Sequence, residues 1–306
     1  MTDKAENSPL NSKQIKLMRS ATYASIALAL TLIGLKIWAW SMTDSVAILS
    51  SLVDSLLDLI ASIITFYAVR DAVSPADAEH RFGHGKSEGV SGLLQGFIIT
   101  ISTLYVASEA VIRLLEPRSI SEPEVGFGVM SISLALTVLL VGFQRFVVAR
   151  TGSLAISADA MHYKADLLTN LAVLCAIFFS YRFEWNVLDP LLGLLIAGFI
   201  FLGVRRIVLD AIDVLLDREL PEKDRQRIEA IVLGNPEVLG LHDMRTRSSG
   251  LAQFIQFHLE LDPNITLTEA HRISDEVEHE VQESFPKAEV IIHSDPHGLD
   301  ELRDSF

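Results

Sequence analysis

Three shortages narrow the class of this protein. The 306 residues hold one cysteine, Cys175, so disulfides and thiolate zinc sites are excluded within one chain. Basic residues are outnumbered, since 25 Lys and Arg stand against 39 Asp and Glu for a net charge of −14. That deficit argues against nucleic acid as a partner and against docking on anionic lipid headgroups. A zincin motif is also missing, because the run 279–283 has no second histidine, and metalloprotease chemistry is not supported.

Long apolar blocks are what the sequence has instead. Half of its residues are hydrophobic, and they come in blocks of about 20 or more, the length of a bilayer-spanning helix. The pattern predicts a membrane protein with six transmembrane helices, and the first block is too long for a cleaved signal peptide. The predicted spans are 17–40, 44–69, 89–115, 125–148, 154–181 and 187–212.

Basic residues in the short loops predict the orientation. With the N-terminus inside, the cytoplasmic segments before residue 213 hold nine Lys and Arg, against three outside. The inside set is Lys4, Lys13, Lys16, Arg19, Arg70, Arg81, Lys86, Arg145 and Arg150; the outside set is Arg113, Arg118 and Arg182. Both termini are therefore expected in the cytoplasm.

Hydrophobicity falls from residue 213 onward. This C-terminal region holds 9 Lys and Arg against 21 Asp and Glu, so most of the negative charge of the chain lies there. Its pattern predicts helix, strand, strand, helix and strand, a two-layer α+β domain with an antiparallel sheet. The predicted division is a disordered segment 1–16, a transport domain 17–212, a cytoplasmic αββαβ domain 213–296 and a tail 297–306.

Two pairs of ionisable residues lie inside predicted spans. Asp54 and Asp58 are one helical turn apart, as are His162 and Asp166, so each pair shares a helix face. A carboxylate at the bilayer centre costs roughly 2.5 to 3.5 kcal/mol on insertion scales, so something must compensate these groups. Oxygen and nitrogen donors on two helices suit a divalent cation.

Such a site can bind either protons or a metal ion, which is the minimal chemistry of an antiporter. The alternative is structural, with the carboxylates paired to lysine or backbone. Lys36 is expected to snorkel outward, and Lys164 to point to another face than His162. Asp159, one turn before His162, is either a gate on the path of the ion or a helix-end partner.

A second cluster lies in the loop between the second and third spans. Asp77, His80 and His84 supply three donors, and the glycines beside His84 let the backbone fold around a small ion. Inert surface histidines are the alternative.

A third cluster lies in the C-terminal region, which holds six of the nine histidines. A small sheet could bring some of them together as a metal site, with a carboxylate bridging two ions. Its candidate ligands are His242, His258, His271, His293 and Asp295. Scattered surface histidines are again the alternative, and His279 and His297 are assigned to that class.

Five motifs in order carry a family resemblance. They are LVDSLLD at 52–58, PADAEHRFGHGK at 75–86, SADAMHYKAD at 157–166, HDMRTR at 242–247 and IIHSDP at 291–296. With them the sequence resembles the cation diffusion facilitator family, and within it the bacterial zinc/proton antiporters, from about residue 17 to residue 296.

The resemblance implies a homodimer in the bacterial inner (plasma) membrane that exports Zn²⁺, with Cd²⁺ and Fe²⁺ as further candidates, in exchange for protons by alternating access. It implies a tetrahedral transport site of Asp54, Asp58, His162 and Asp166, and a loop site of Asp77, His80 and His84. It also implies a ferredoxin-like cytoplasmic domain, with a binuclear site of His242, His258, His271, His293 and Asp295 between the two copies. A salt bridge between Lys86 and Asp217 is expected near the dimer seam.

Three residues depart from the family pattern. Ser294 and His297 replace a glutamine and a cysteine near the binuclear site, and Lys164 replaces a glutamine beside the transport site, where a cation could lower metal affinity. A membrane metal sensor without flux is the competing function. An intramembrane metal hydrolase would need an open metal position and an activated water, whereas tetrahedral coordination would use all four donors.

Overall fold

The computed structural model describes residues 11–43, 46–115, 124–183 and 188–298. The first ten residues of the segment predicted to be disordered lie outside this part of the chain, as does most of the predicted C-terminal tail. The chain forms two compact units. One contains Ser12–Ser74 and Ser87–Ile212, and the other contains Pro75–Lys86 together with the chain from Asp213 onward.

Six long helices make up the first unit. They are α1 (Ser12–Thr43), α2 (Val46–Ala72), α3 (Ser87–Leu115), α4 (Glu124–Thr151), α5 (Leu154–Phe183) and α6 (Leu188–Leu215). Within the described residues, five of these helices, all but α5, contain a stretch long and apolar enough to cross a membrane. The helix left out, α5, carries Asp159, Lys164 and Asp166.

Many large apolar side chains of these helices point outward. Phe97 is 66% exposed, Tyr105 70%, Leu139 70% and Leu202 69%. In water, contiguous apolar surface on this scale would be unfavourable. Lipid tails cover it in a membrane, because they are as apolar as the side chains themselves.

The helix carrying Asp54 and Asp58 packs against the helix carrying His162 and Asp166. In the same unit, α1 packs on α2 and α4, and α5 also packs on α3 and α4. Gly203 of α6 lies against the end of the Met161 side chain, since a Cβ there would lie 2.2 Å from Cε of Met161. A larger residue at position 203 would require this flexible side chain to shift.

The second unit contains two helices and a three-stranded sheet. These are α7 (Glu222–Val232), β1 (Gly240–Ser248), β2 (Gln253–Leu261), α8 (Leu267–Ser284) and β3 (Ala288–Pro296). Thr266 caps α8 by accepting a 3.2 Å hydrogen bond from the amide of Glu269. One face of α8 is buried, with Ile273, Val277 and Val281 spaced one turn apart, and it packs on the sheet core.

The sheet order is β1-β2-β3, and its pairing corrects one prediction. β1 and β2 are antiparallel, as expected, but β2 and β3 are parallel. The prediction of an antiparallel sheet is therefore wrong for the last strand. The reason is α8, which crosses over between β2 and β3 and returns the chain to the end at which β2 began.

The loop between α2 and α3 packs on this second unit. The Phe82 ring meets the Phe254 ring edge-on at 5.5 Å, and the guanidinium of Arg247 lies 4.8 and 4.5 Å from the two ring centroids. Only glycine fits at position 85, because a Cβ would lie 2.1 Å from the carbonyl oxygen of Ser249. The predicted division assigned this loop to the transport domain, and nothing in its sequence pattern indicated that it packs on the later region.

Candidate metal centres

Three of the four predicted transport ligands come together between α2 and α5. Ligand atoms of Asp58, His162 and Asp166 all lie within 4.8 Å of one another. His162 Nε2 is 3.0 Å from Asp58 Oδ1 and 3.8 Å from Asp166 Oδ2. Asp166 Oδ2 is buried and makes no hydrogen bond with any described residue. An oxygen left without a donor inside a His and carboxylate cluster fits a metal ion.

The fourth predicted ligand stands apart. Asp54 is one turn before Asp58 on α2, but its side chain is exposed and it is not in the close group. The structure thus offers three protein donors at short range, with Asp54 next to them on the same helix.

A buried carboxylate holds α5 in place just before His162. Asp159 is 0% exposed and accepts hydrogen bonds from Ser25 Oγ of α1 at 2.7 Å and from Gln144 Nε2 of α4 at 2.6 Å. Gln95 Nε2 of α3 donates a longer bond of 3.4 Å. Neither predicted role fits this geometry, because Asp159 bonds to side chains of three other helices rather than capping its own helix or facing an opening.

Two further polar contacts fix this end of α5. Glu88 of α3, which is fully buried, accepts hydrogen bonds from the Ser153 hydroxyl and, at 3.0 Å, from the amide of Leu154. The Tyr163 hydroxyl lies 2.9 Å from Ser62 Oγ of α2. Sequence reasoning missed these residues and the two glutamines. Gln95 and Gln144 are polar residues inside predicted spans and Glu88 directly precedes one, which is the signal that could have found them.

The two lysines of this region differ from their predictions. Lys36 does not snorkel outward: it is 9% exposed, and its Nζ donates to Ser55 Oγ at 2.6 Å and to the carbonyl oxygen of Ser51 at 2.8 Å. Lys164 Nζ lies over the Phe199 ring of α6, 4.6 Å from its centroid. The Lys36 ammonium therefore lies against the segment of α2 that carries Asp54 and Asp58, whereas the Lys164 ammonium lies on an aromatic face.

The loop cluster is assembled as predicted from its spacing. Asp77, His80 and His84 have ligand atoms within 4.8 Å of one another, with Asp77 Oδ2 3.3 Å from His84 Nε2. Backbone amides of His80 and Glu79 donate to the Asp77 carboxylate, and these bonds lower the pKa of Asp77. His84 Nδ1 is buried without a hydrogen-bond partner among the described residues. The donor set suits a small divalent ion.

The cytoplasmic cluster follows from strand register. His242 pairs with His258 across β1 and β2, and His258 pairs with His293 across β2 and β3, so three histidines form a row across the sheet. Asp295 is two residues beyond His293 and on the same face. A β-bulge after His242, with Asp243 at φ +46°, ends the regular pairing at that point.

Asp295 is the centre of this cluster. Its Oδ2 lies 2.7 Å from His258 Nδ1 and 3.4 Å from His242 Nε2, and its Oδ1 lies 3.1 Å from His293 Nε2. Both carboxylate oxygens thus face imidazole nitrogens while the side chain is only 7% exposed. One carboxylate facing several histidines in this way could bridge two metal ions.

The remaining predicted ligand, His271, is not brought to this cluster within one chain. Its side chain is 74% exposed and lies 3.4 Å from Asp275 on α8. His279 is likewise 74% exposed, beside Glu283.

The two departures near the cytoplasmic cluster behave differently. Ser294 Oγ lies 2.9 Å from Ser274 Oγ of α8. Ser294 is therefore on the face of β3 that packs on α8, opposite the face of His293 and Asp295. His297 Nδ1 lies 2.7 Å from Glu260 Oε2, and the other oxygen of Glu260 lies 3.0 Å from His242 Nδ1. His297, whose side chain is 53% exposed, is therefore linked to the cluster through Glu260.

The predicted salt bridge joins Lys86 to the start of the cytoplasmic region. Lys86 Nζ lies 2.9 Å from Asp217 Oδ2, and Arg247 Nη1 lies 3.1 Å from Asp217 Oδ1. Burial alone would raise the pKa of Asp217, but its hydrogen bonds and charge pairing with Lys86 and Arg247 outweigh burial and lower the pKa.

Comparison with known proteins agrees with both units. The family profile described as "Cation efflux transmembrane domain" matches residues 22–216, and the profile "Cation efflux protein, cytoplasmic domain" matches residues 220–297. The proteins named "Cation-efflux pump FieF" from Salmonella arizonae and Salmonella typhimurium are each 42% identical over 287 residues, covering 94% of this chain and 95% of theirs. A solved metal-bound C-terminal domain of the CzcD transporter from Thermotoga maritima is 28% identical, covers 26% of this chain and 93% of that one, and gives a TM-score of 0.25.

Proposed function

This chain belongs to the cation efflux family, which is also called the cation diffusion facilitator family. On that basis we propose that it is an antiporter that exports Zn²⁺ in exchange for protons. Divalent cation efflux follows from the family itself, and so does its class as an integral membrane transporter rather than an enzyme. Zinc as the ion and protons as the counter-ion are the specific part of the proposal.

The observation that carries the proposal is the cluster of Asp58, His162 and Asp166. One imidazole nitrogen and two carboxylate oxygens suit a borderline ion such as Zn²⁺, and the imidazole disfavours hard ions such as Mg²⁺. Asp54 is proposed as the fourth ligand, reached by rotation of its side chain one turn away. Cd²⁺ and Fe²⁺ are further candidate cargo ions with compatible donors.

Protons enter the cycle through the same side chains. Carboxylates and imidazole bind a metal only when deprotonated, so metal binding releases protons and proton binding releases metal. If the helices carrying the cluster expose it alternately to the two sides, a pH gradient drives metal out of the cell. His162 is a proposed proton carrier, since histidine is the side chain suited to exchange near neutral pH.

The proposed setting is the bacterial inner membrane, with both termini in the cytoplasm and lipid around the helices. In this setting α5 also spans the bilayer, as a sixth transmembrane helix whose polar residues face the bundle.

The cytoplasmic domain is proposed to be ferredoxin-like and to form the homodimer. The row of His242, His258 and His293 with Asp295 would hold resident metal ions there. His271, which is remote from this row within one chain, is proposed to reach the corresponding site of the second copy. The loop cluster of Asp77, His80 and His84 would bind a further ion that stabilises the loop.

Flux into proteoliposomes tests the proposed function. Zn²⁺ should accumulate against its gradient when a pH gradient is imposed, and Asp58→Ala should abolish this uptake while leaving assembly intact. Lys164→Met is a matched control in the same bundle, and it should transport normally because its charge lies on Phe199. Zinc binding without flux in the native protein would favour the alternative, a membrane metal sensor.

A further inference from the structure

A buried lysine lies beside the candidate transport site. Lys36 of α1 is 9% exposed, and its ammonium donates to Ser55 Oγ at 2.6 Å and to the carbonyl oxygen of Ser51 at 2.8 Å. Ser51 and Ser55 are one turn apart on α2, and Ser55 lies between Asp54 and Asp58 in the sequence. The contacts therefore hold a positive charge against the segment of α2 that carries the two carboxylates.

The charges that act on this ammonium are those of the transport site. Asp58, Asp54 and Asp166 all interact with Lys36 electrostatically. None of them forms a direct ion pair with it among the described residues, because its hydrogen bonds go to the uncharged oxygens of Ser51 and Ser55. Lys36 thus adds its charge to the site while leaving the carboxylate oxygens available to an ion.

We propose that Lys36 is a fixed counter-charge of the transport site, which stabilises the carboxylates when no metal is bound and weakens the binding of a divalent ion. The inference rests on the proposed function, because it takes Asp58, His162 and Asp166 as the ligands. Repulsion between the ammonium and a dication favours release, so Lys36 sets metal affinity low enough for turnover.

The size of the effect follows from Coulomb repulsion at short range. Because the pair lies in a medium less polar than water, a full charge several ångströms from a dication changes affinity by roughly tenfold or more. The hydroxyl and carbonyl contacts hold the ammonium in place, so the repulsion cannot be relieved by the side chain turning toward solvent. Lys36 is therefore expected to limit affinity as long as its charge is kept.

Lys164 gives the matched comparison, because it is a second lysine in the same bundle and lies two residues from both His162 and Asp166. Its Nζ lies 4.6 Å from the centroid of the Phe199 ring of α6, whereas the Lys36 ammonium lies against the segment of α2 that carries Asp54 and Asp58. Removing the charge of Lys164 should therefore leave metal affinity unchanged. The two lysines separate the effect of a particular position from that of positive charge in general.

Equilibrium zinc binding tests the proposal in full-length protein in lipid nanodiscs. Asp77→Ala and Asp295→Ala remove one ligand from each of the other clusters, so that the Asp58-dependent part of the isotherm reports the transport site. In this background Lys36→Met should bind Zn²⁺ roughly tenfold more tightly at pH 8. Lys36→Arg, which keeps the charge, and Lys164→Met should both bind as the parent does.

Flux kinetics give a second readout that a purely structural role would not produce. In proteoliposomes, Lys36→Met should lower both KM and kcat, because zinc binds more tightly and leaves more slowly. Lys36→Gln serves if the methionine variant does not fold. Unchanged or weaker zinc binding in a folded Lys36→Met or Lys36→Gln protein would show that Lys36 does not act as a counter-charge of the transport site. A parent without any Asp58-dependent binding would instead overturn the proposed function, and this inference with it.

Discussion

At the scale of single residues, His162 is the donor on which metal choice is proposed to depend. It is 5% exposed and lies between Asp58 and Asp166, with its Nε2 facing both. Replacing the only nitrogen donor of the group by oxygen makes the site harder in the chemical sense.

His162→Asp should therefore shift selectivity from Zn²⁺ toward harder ions such as Mn²⁺. The measurement is the relative initial rate of Zn²⁺, Cd²⁺, Fe²⁺ and Mn²⁺ uptake in vesicles under one pH gradient. An unchanged rank order with retained flux would show that the imidazole does not set selectivity.

The hydrogen bonds of Asp159 predict a cost of removing its side chain. Asp159→Ala removes an acceptor that Ser25, Gln95 and Gln144 share. Each donor keeps a second acceptor, namely the Ala21 carbonyl oxygen, Thr65 Oγ1 and Ser25 Oγ, so the lost bonds cost about 1–3 kcal/mol in all. The alanine variant should unfold at a clearly lower temperature in detergent, measured by intrinsic fluorescence. Asp159→Asn keeps an acceptor oxygen and should lose less. Equal thermal stability of the alanine variant and the native protein would contradict the role given to this network.

The positions of some residues around the site follow from the sequence, and those of others depend on how the helices pack. Periodicity placed Asp54 with Asp58 on one helix face and His162 with Asp166 on another, because residues four apart share a face. It could not place Lys36 against Ser55, because that contact depends on how α1 packs on α2. The same limit left Glu88, Gln95 and Gln144 unassigned, since their partners lie far away in the sequence.

At the scale of elements, the loop from Pro75 to Lys86 is the least predictable part. The glycines beside His84 predicted a backbone able to fold around a small ion, but the packing of this loop against Phe254 and Ser249 is a tertiary contact. The parallel pairing of β3 was missed for a similar reason. Strand patterns give the alternation of side chains, whereas strand direction depends on where the preceding helix delivers the chain.

The pairing of Asp217 with Lys86 and Arg247 predicts a pH dependence for this loop. The folded-state pKa of Asp217 is lowered, so its stabilising contribution is fully present above the ordinary carboxyl pKa of about 3.9 and is lost as pH falls through the lower folded value. Because Asp217 is 40% exposed, solvent screens the pair and its contribution is modest.

Hydrogen exchange of the amides around Lys86, corrected for intrinsic rates and measured with a chelator present, checks this window. Protection should hold from pH 7 to about pH 4.5 and fall below the ordinary carboxyl value of about 3.9. Asp217→Asn should show the reduced protection throughout. Loss of protection already near pH 6 in the native protein would mean that another group controls the loop.

At the scale of the whole molecule, the chain consists of a unit of six long helices and an α+β unit. The sequence distinguishes the two units by the length of their apolar stretches. A bilayer-spanning helix needs about 20 consecutive apolar residues, whereas a strand of a small sheet shows alternating apolar and polar residues. Dimerisation depends on the shape and chemistry of surfaces, which neither the length of apolar stretches nor strand alternation describes.

The cytoplasmic cluster predicts that metal promotes assembly of two copies. Asp295→Ala removes the carboxylate that faces His242, His258 and His293, so zinc should no longer shift the full-length protein toward dimer. Mass photometry in detergent with and without zinc measures this shift. His279→Ala is the control, since this exposed histidine pairs only with Glu283 among the contacts described. If zinc still shifts the Asp295→Ala protein toward dimer, metal binding at this cluster does not promote assembly.

We propose that one site between α2 and α5 exchanges metal for protons, and the most direct test records zinc and pH together. A zinc dye and a pH dye are enclosed in proteoliposomes to which Zn²⁺ is added without an imposed pH gradient. Zinc uptake should make the lumen more alkaline, in proportion to the zinc that enters, and Asp58→Ala should abolish both signals. Zinc uptake that leaves the lumenal pH unchanged would contradict metal–proton exchange at this site.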